Sequence, residues 1–403
     1  MIINRNITQK TWGFTQSFLL VLILLFIGLI FDLNRFKLTI PEWPYNILLI
    51  FTLTISYVIL FILFNKKIYI LYWLSTSYAS ISAISFFSLV VFCMTIFVQD
   101  KNEFYDSLNF IHNLTNSTVF LLSLIYLLTS LTSVIIRRFL PFNFRNVRFQ
   151  FMHLGVWVSI IAMILASSDI KRYQIPLYKG QKSNIGYNNL ETYEFPFNIK
   201  LLKFEIDEFP SKLALVRNKD NYIDAKLHNN LFLIKKGEKK KILNYNFYIK
   251  EFIQNAVYDT ISRTYKPTYS NYGYQVAHII VTSINDSIIK EGWLTSGSPK
   301  EKANNLMIDE EFYIAMTIPQ PKKFCSYILI EDSNKRTSAM IEVNKPFTYK
   351  NWILYQTGFD TNQGKYSQLS VIEAVNDRWL LLVYLGFIIT CIGTVLLFIK
   401  NKN

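Results

Sequence analysis

The chain has 403 residues, 51% hydrophobic and 16% aromatic, with only 17% charged and a net charge of +14. A soluble globular chain carries about a quarter charged residues, so the starting class is a membrane protein. Three cysteines rule out a disulfide framework. With no C-x-x-C or C-x-x-C-H, the chain is neither a dithiol oxidoreductase nor a c-type cytochrome.

Apolar runs of about 20 residues are long enough to cross a bilayer. Six are present: Ser17 to Leu33, Tyr45 to Phe64, Leu71 to Val98, Ser117 to Ile136, Phe151 to Ser167 and Trp379 to Ile399. The first follows a polar lead with Arg5 and Lys10 and has no small-residue cleavage site after it, which predicts an uncleaved span. Lys and Arg in the short loops set the orientation. Arg5 and Lys10, Lys66 and Lys67, Arg137, Arg138, Arg145 and Arg148, and Lys400 and Lys402 fall on one side if both termini are cytoplasmic. Because these basic residues cluster beside apolar runs, the positive charge argues for the lipid bilayer rather than for nucleic acid. Interfacial aromatics frame the spans, with Trp43 and Tyr45 at the second and Trp379 and Tyr384 at the sixth.

The fold class expected is therefore a membrane protein of six transmembrane α-helices, with a large, mainly-β extracytoplasmic domain between helices five and six. The boundaries are 1–167 for the five-helix part, 168–378 for the β domain, and 379–403 for the last helix and tail. The middle region lacks helical periodicity. It has alternating or β-branched runs at Phe195 to Phe204, Leu231 to Ile234, Asn246 to Phe252, Val276 to Thr282 and Tyr327 to Glu331. Gly237, Gly273, Gly297 and Gly358 punctuate them, which predicts a sandwich or an irregular barrel. The run from Lys235 to Lys241 reads as a solvated hairpin tip. Trp352 and Tyr355 read as core residues of one strand.

Only four histidines are present. His228 and His278 have no second ligand at metal spacing and read as solvated or core residues. His112 sits in the short loop between spans three and four, where it could cap a haem face, although an ordinary loop histidine is the cheaper explanation. His153 opens span five, and an ionisable group there is costly without a partner. An imidazole at that place could ligate haem iron, with Val156, Trp157 and Ile160 as an apolar wall on the same helix face. On residue chemistry alone, a histidine snorkelling beside four arginines explains it more cheaply. No G-x-S-x-G, H-E-x-x-H, Walker or Rossmann motif occurs. Glu205, Asp207 and Glu208 lie together on a strand-like stretch that reads as exposed, with nothing to orient them as acid and base.

Three stretches carry a likeness to a known family. The first runs from Phe151-Met152-His153-Leu154-Gly155 through Ser168-Asp169-Ile170-Lys171-Arg172 to Lys179-Gly180-Gln181. The second is Phe204-Glu205-Ile206-Asp207-Glu208-Phe209-Pro210-Ser211-Lys212-Leu213. The third runs from Val343-Asn344-Lys345-Pro346 through Trp352-Ile353-Leu354-Tyr355-Gln356 and Gly358-Phe359-Asp360 to Tyr366-Ser367, then Asn376-Asp377-Arg378-Trp379. The chain resembles the ResB/CcsB family of System II cytochrome c biogenesis proteins, in the six-span form of Bacteroidetes-type bacteria.

The resemblance implies a non-catalytic subunit of a haem-ligating, holocytochrome c synthase complex in the bacterial inner membrane, with a periplasmic β domain. Such a subunit works with a CcsA-like partner to move haem b across the membrane and attach it to apocytochrome c. His153 matches the proposed haem ligand of the family, with Trp157 as part of its wall. The chain lacks a tryptophan-rich haem motif and a fused CcsA half, so a second ligand would come from a partner or from His112. The alternatives are an anchoring scaffold without haem contact, and a transporter. The absence of an internal repeat or interrupted helix pair counts against the transporter.

Overall fold

The computed structural model describes residues 12–34, 40–65, 67–97, 114, 116–139, 143–189, 191–218, 231–270, 272–283, 287–333 and 335–399. The chain divides into two compact units. One comprises Met1–Ile170 with Asp377–Asn403, and the other is Lys171–Asn376.

The first unit is helical: α1 (Phe14–Leu33), α2 (Tyr45–Phe64), α3 (Tyr69–Leu74), α4 (Ser77–Ile96), α5 (Thr118–Arg137), α6 (Phe144–Asp169) and α7 (Leu380–Phe398). All except α3 are long and apolar enough to cross a membrane. The expected third span does not begin at Leu71. Ser75 Oγ donates to the Tyr72 carbonyl and Thr76 Oγ1 to that of Trp73, each at 2.7 Å, and Thr76 turns extended to start α4. Short hydroxyl side chains that compete for backbone carbonyls end a helix in this way. The fifth span is longer than its apolar run. The 26 residues of α6 extend about 39 Å, and Asn143 caps its start by accepting from Asn146 N at 2.9 Å.

The helix α5 packs against α1, α2, α3, α4 and α6. It meets three of them with hydroxyls: α4 through Tyr126 with Ser82 (2.7 Å) and Ser130 with Ser80 (3.1 Å), α2 through Ser133 with Tyr57 (2.5 Å), and α6 through Thr132 accepting from Trp157 Nε1 (3.0 Å). Hydroxyl pairs of this kind join helices where lipid offers no hydrogen-bonding alternative. Asp32, at the end of α1, accepts from the N–H groups of Thr118 (2.6 Å) and Val119 (3.2 Å) and so caps α5 from outside.

The helices α6 and α7 meet along a seam of small residues. A Cβ on Gly155 would lie 2.5 Å from Thr390 N, and one on Gly393 would lie 2.3 Å from Met152 N, so only glycine permits this approach. At one end of the pair, Asp169 accepts from Trp43 N (2.8 Å), Asn46 Nδ2 (2.9 Å) and Trp379 Nε1 (2.6 Å).

The second unit contains β1 (Lys171–Tyr178), β2 (Lys182–Tyr187), β3 (Thr192–Glu208), β4 (Lys212–Arg217), β5 (Leu231–Leu233), β6 (Lys239–Ile242), β7 (Tyr245–Asp259), β8 (Thr264–Pro267) and β9 (Tyr274–Ser283). It continues with β10 (Ile288–Thr295), β11 (Leu306–Met307), β12 (Phe312–Met316), β13 (Pro321–Asp332), β14 (Lys335–Glu342), β15 (Phe347–Tyr349), β16 (Trp352–Phe359) and β17 (Leu369–Asn376).

Eight strands form one antiparallel sheet in the order β14-β13-β3-β2-β1-β17-β16-β15. Its inward residues, among them Tyr173, Ile175, Phe195, Ile199, Ile330, Trp352, Leu354 and Ile372, form a single core. With β14 lying against β15 and β16, the sheet curls round that core like an irregular barrel. The sheets β10-β9-β7-β6 and β11-β12-β4-β5 pack on each other through Leu213, Phe247, Ile279, Leu294 and Ile314, as a sandwich does.

Two expectations need correcting. Trp352 is buried against Tyr173, Tyr193 and Phe195, but Tyr355 is not in that core. Residues an odd number apart on a regular strand face opposite ways, and Leu354 and Gln356 take the inward places. The lysine run is only partly a tip. The turn at Gly237 (φ +84°) leads Lys239, Lys240 and Lys241 into β6, an edge strand that lysines keep from pairing further.

Candidate functional site

His153 lies two turns into α6, half-buried. The seam toward α7 uses Met152, Gly155 and Ser159, which turns the His153 and Trp157 face of the helix away from it. Nδ1 of His153 lies 2.9 Å from the Phe149 carbonyl oxygen. A carbonyl only accepts, so Nδ1 carries a proton, and Nε2 offers a lone pair whenever the ring is neutral. No other hydrogen bond of this ring is made among the described residues. The ring stacks on Phe149 with centroids 3.7 Å apart, and the Arg138 guanidinium lies 4.2 Å over the same phenyl ring. A histidine whose Nδ1–H is fixed by a carbonyl is oriented as metal-ligating histidines are. Trp157, one turn on, is anchored to α5 through Thr132. His112 and His228 lie outside the described residues.

His278 stacks on Trp293 at 4.7 Å with Nε2 3.6 Å from Glu291, and burial draws its pKa down. Among the described residues, no group of three or more His, Cys, Asp or Glu is arranged to hold a metal.

The β unit contains a second feature, where a break in strand phase changes the reading of its acidic stretch. Along β3 the buried residues are Phe195, Phe197, Ile199 and Leu201. A bulge at Leu202 opposite β13 then shifts the phase, so that Phe204, Ile206 and Glu208 share one face. Glu208 is therefore not exposed. Its side chain is 12% accessible and lies 3.7 Å from Lys365 Nζ, itself 14% accessible. Burial pushes the Glu208 carboxyl up against the opposing pull of Lys365, and burial likewise draws the Lys365 ammonium down. Tyr366 donates to the Gly273 carbonyl at 2.9 Å, and burial, with Glu208 and Glu301 nearby, holds its hydroxyl far above the ordinary range. These groups border a cleft of about 650 Å³. The pairing of Glu208 with Lys365 was invisible in the sequence because a bulge and a long loop create it.

No family model matches the chain, and no curated protein matches it. A solved structure described as the cytochrome c haem lyase CcmF is similar over 79% of this chain at 8% identity, with a TM-score of 0.21. The match covers 34% of that protein, so the chain spans about a third of its length. At that level of likeness neither fold nor function is carried over.

Proposed function

We propose that this chain is the ResB-like subunit of a System II cytochrome c synthase complex in a bacterial inner membrane. It helps to move haem b outward and to present haem, apocytochrome c or both for thioether attachment. The reading rests on the three stretches that resemble the family and on one geometric observation: the Phe149 carbonyl fixes His153 as the Nδ1–H tautomer, leaving Nε2 as the free ligand atom. Haem is mainly apolar but carries two propionates, so a path across the bilayer needs an axial ligand and an apolar lining. Trp157, Val156 and Ile160 share the His153 face for that purpose.

In this reading the termini are cytoplasmic and the β unit is periplasmic. A CcsA-like membrane protein carries the remaining haem-handling groups. The bond-forming step adds each cytochrome thiol across a haem vinyl group, with sulfur to one carbon and hydrogen to the other, and this chain is not its catalyst. His112 is a further candidate ligand on sequence grounds alone.

The stack of Arg138, Phe149 and His153 favours a second reading, in which His153 anchors the start of α6 at the interface and the chain is a scaffold without haem contact. A haem spectrum of the detergent-purified chain separates the two. Wild type and His153→Ala are compared, each with and without the CcsA-like partner. A Soret band that requires His153 and the partner supports haem handling. If no wild-type preparation carries haem while maturation still needs the chain, the scaffold reading stands.

A further inference from the structure

The outer face of the sheet β10-β9-β7-β6 carries charge that the rest of the β unit does not leave open. Ile242, Phe247, Ile249, Ile279 and Val281 are buried in the sandwich core, so by strand alternation the residues between them point outward. The register sets those residues in two rows. Lys241 lies opposite Asn246, Asn246 opposite Thr282, and Thr282 opposite Ile288. In the second row Lys239 lies opposite Tyr248, and Tyr248 opposite Ile280. Together they line a groove of about 600 Å³, within the roughly 300–1,000 Å³ of pockets that hold ligands.

One side of this groove is cationic and the other apolar. Lys239 and Lys241 stand two residues apart on one face of β6, where like charges repel. Other lysines of the unit are neutralised by carboxylates, as Lys250 is by Glu291 (2.9 Å), Lys323 by Glu342 (2.7 Å) and Lys350 by Asp332 (2.6 Å). Among the described residues Lys239 and Lys241 make no ion pair, and no carboxylate lines the groove. Lys239 Nζ instead lies over the Tyr248 ring, 5.8 Å from its centroid. Asn246 and Thr282 form the polar middle, and Ile288 stands 65% exposed at the far side, beyond Ile280 and Tyr248.

A cationic pair, a polar middle and an exposed apolar edge match an amphiphile whose phosphate-bearing headgroup continues into hydrocarbon. A free polyanion would use the lysines and leave Ile288 without a role. The β unit is also joined at both ends to helices long and apolar enough to cross a membrane, since Lys171 follows closely on α6 and Asn376 closely precedes α7. A bilayer surface is therefore present at high effective concentration.

We propose that this groove takes the headgroup of an anionic phospholipid at the bilayer surface, with phosphate on Lys239 and Lys241 and acyl carbon along Tyr248, Ile280 and Ile288. The inference is independent of haem handling and needs only that the helices cross a membrane.

The test reconstitutes the full-length chain in nanodiscs of phosphatidylcholine, alone or mixed with phosphatidylglycerol, and reads lysine acetylation rates by mass spectrometry. Lys239 and Lys241 should label at least about fivefold more slowly in the mixed discs, and high salt should restore their rates. Lys302, exposed in the loop before β11, should label alike in both. Ile288→Asp alters an exposed residue and keeps both lysines as reporters; it should abolish the difference between the discs. Equal labelling of Lys239 and Lys241 in both discs, equal slowing at Lys302, or a difference that survives Ile288→Asp overturns the proposal. So does full protection by inorganic phosphate in phosphatidylcholine discs, which would assign the groove to a free anion.

Discussion

Trp379 donates its indole N–H to the Asp169 carboxylate across 2.6 Å, joining the start of α7 to the end of α6. The same carboxylate holds Trp43 and Asn46, so one buried acidic group ties three segments of the helical unit. Asp169→Ala strands three donors, whereas Trp379→Phe removes only one. The first should cost roughly 2–4 kcal/mol and the second about 1 kcal/mol. Unfolding in graded SDS measures both, and equal losses would mean that Trp379 alone carries the junction.

The seam between α6 and α7 makes a sharper steric prediction. Gly393→Ala puts a methyl group 2.3 Å from Met152 N, where backbone cannot yield without the helices parting. A loss of about 1–3 kcal/mol is expected, and Gly155→Ala should behave alike. Wild-type thermal stability in both variants would show that the helices separate freely.

Within the β unit, Trp352→Ala should cost about 3–5 kcal/mol, because the indole packs on Tyr173, Tyr193 and Phe195. Tyr355→Ala, on the other face of β16, should cost under about half that. Limited proteolysis of the full chain on heating ranks the two. The reverse order would mean that β16 runs in the opposite phase.

The acid limb of stability depends partly on Asp332. Its carboxylate accepts from Lys350 Nζ at 2.6 Å and from Ser333 N at 2.7 Å, which lowers its pKa from the ordinary 3.8 to about 2. A carboxyl depressed on folding contributes stability that is complete above its unfolded pKa and fades as pH falls through the folded one. Lys350→Met should therefore lower the melting temperature at pH 6, with the gap closing toward pH 2. A gap that is constant with pH would assign the loss to packing instead.

Much of this architecture can be read from apolar run length and strand alternation, since those signals are local. The helices at Tyr45–Phe64 and Leu380–Phe398 and the strands through Phe195, Phe247 and Val276 declare themselves in that way. The ends are harder. Ser75 and Thr76 divide one apolar run by bonding to carbonyls three residues back, and composition does not record that competition. His153 stands out in the sequence because ionisable residues are rare in spans, but the carbonyl that sets its tautomer appears only once a helix places Phe149 one turn before it. Strand alternation alone makes Glu208 an exposed residue, but a single extra residue at the Leu202 bulge reverses which side chains face inward. Its partner Lys365 lies far along the chain, and no local rule links the two.

The eight-stranded sheet also constrains the order of assembly. β17 sits between β1 and β16, pairing with β1 along its whole length from Lys171 opposite Asn376 to Tyr178 opposite Leu369. β17 is thus the strand through which β1 and β16 are hydrogen-bonded into one sheet, although it is the last strand of the chain to be made. Closure is therefore a late, long-range event, of the kind that folds slowly and leaves strand edges open while it waits. A nascent chain stalled just before Leu369 should remain protease-sensitive throughout this sheet, while the sandwich, whose strands lie between Lys212 and Met316, has all it needs to form.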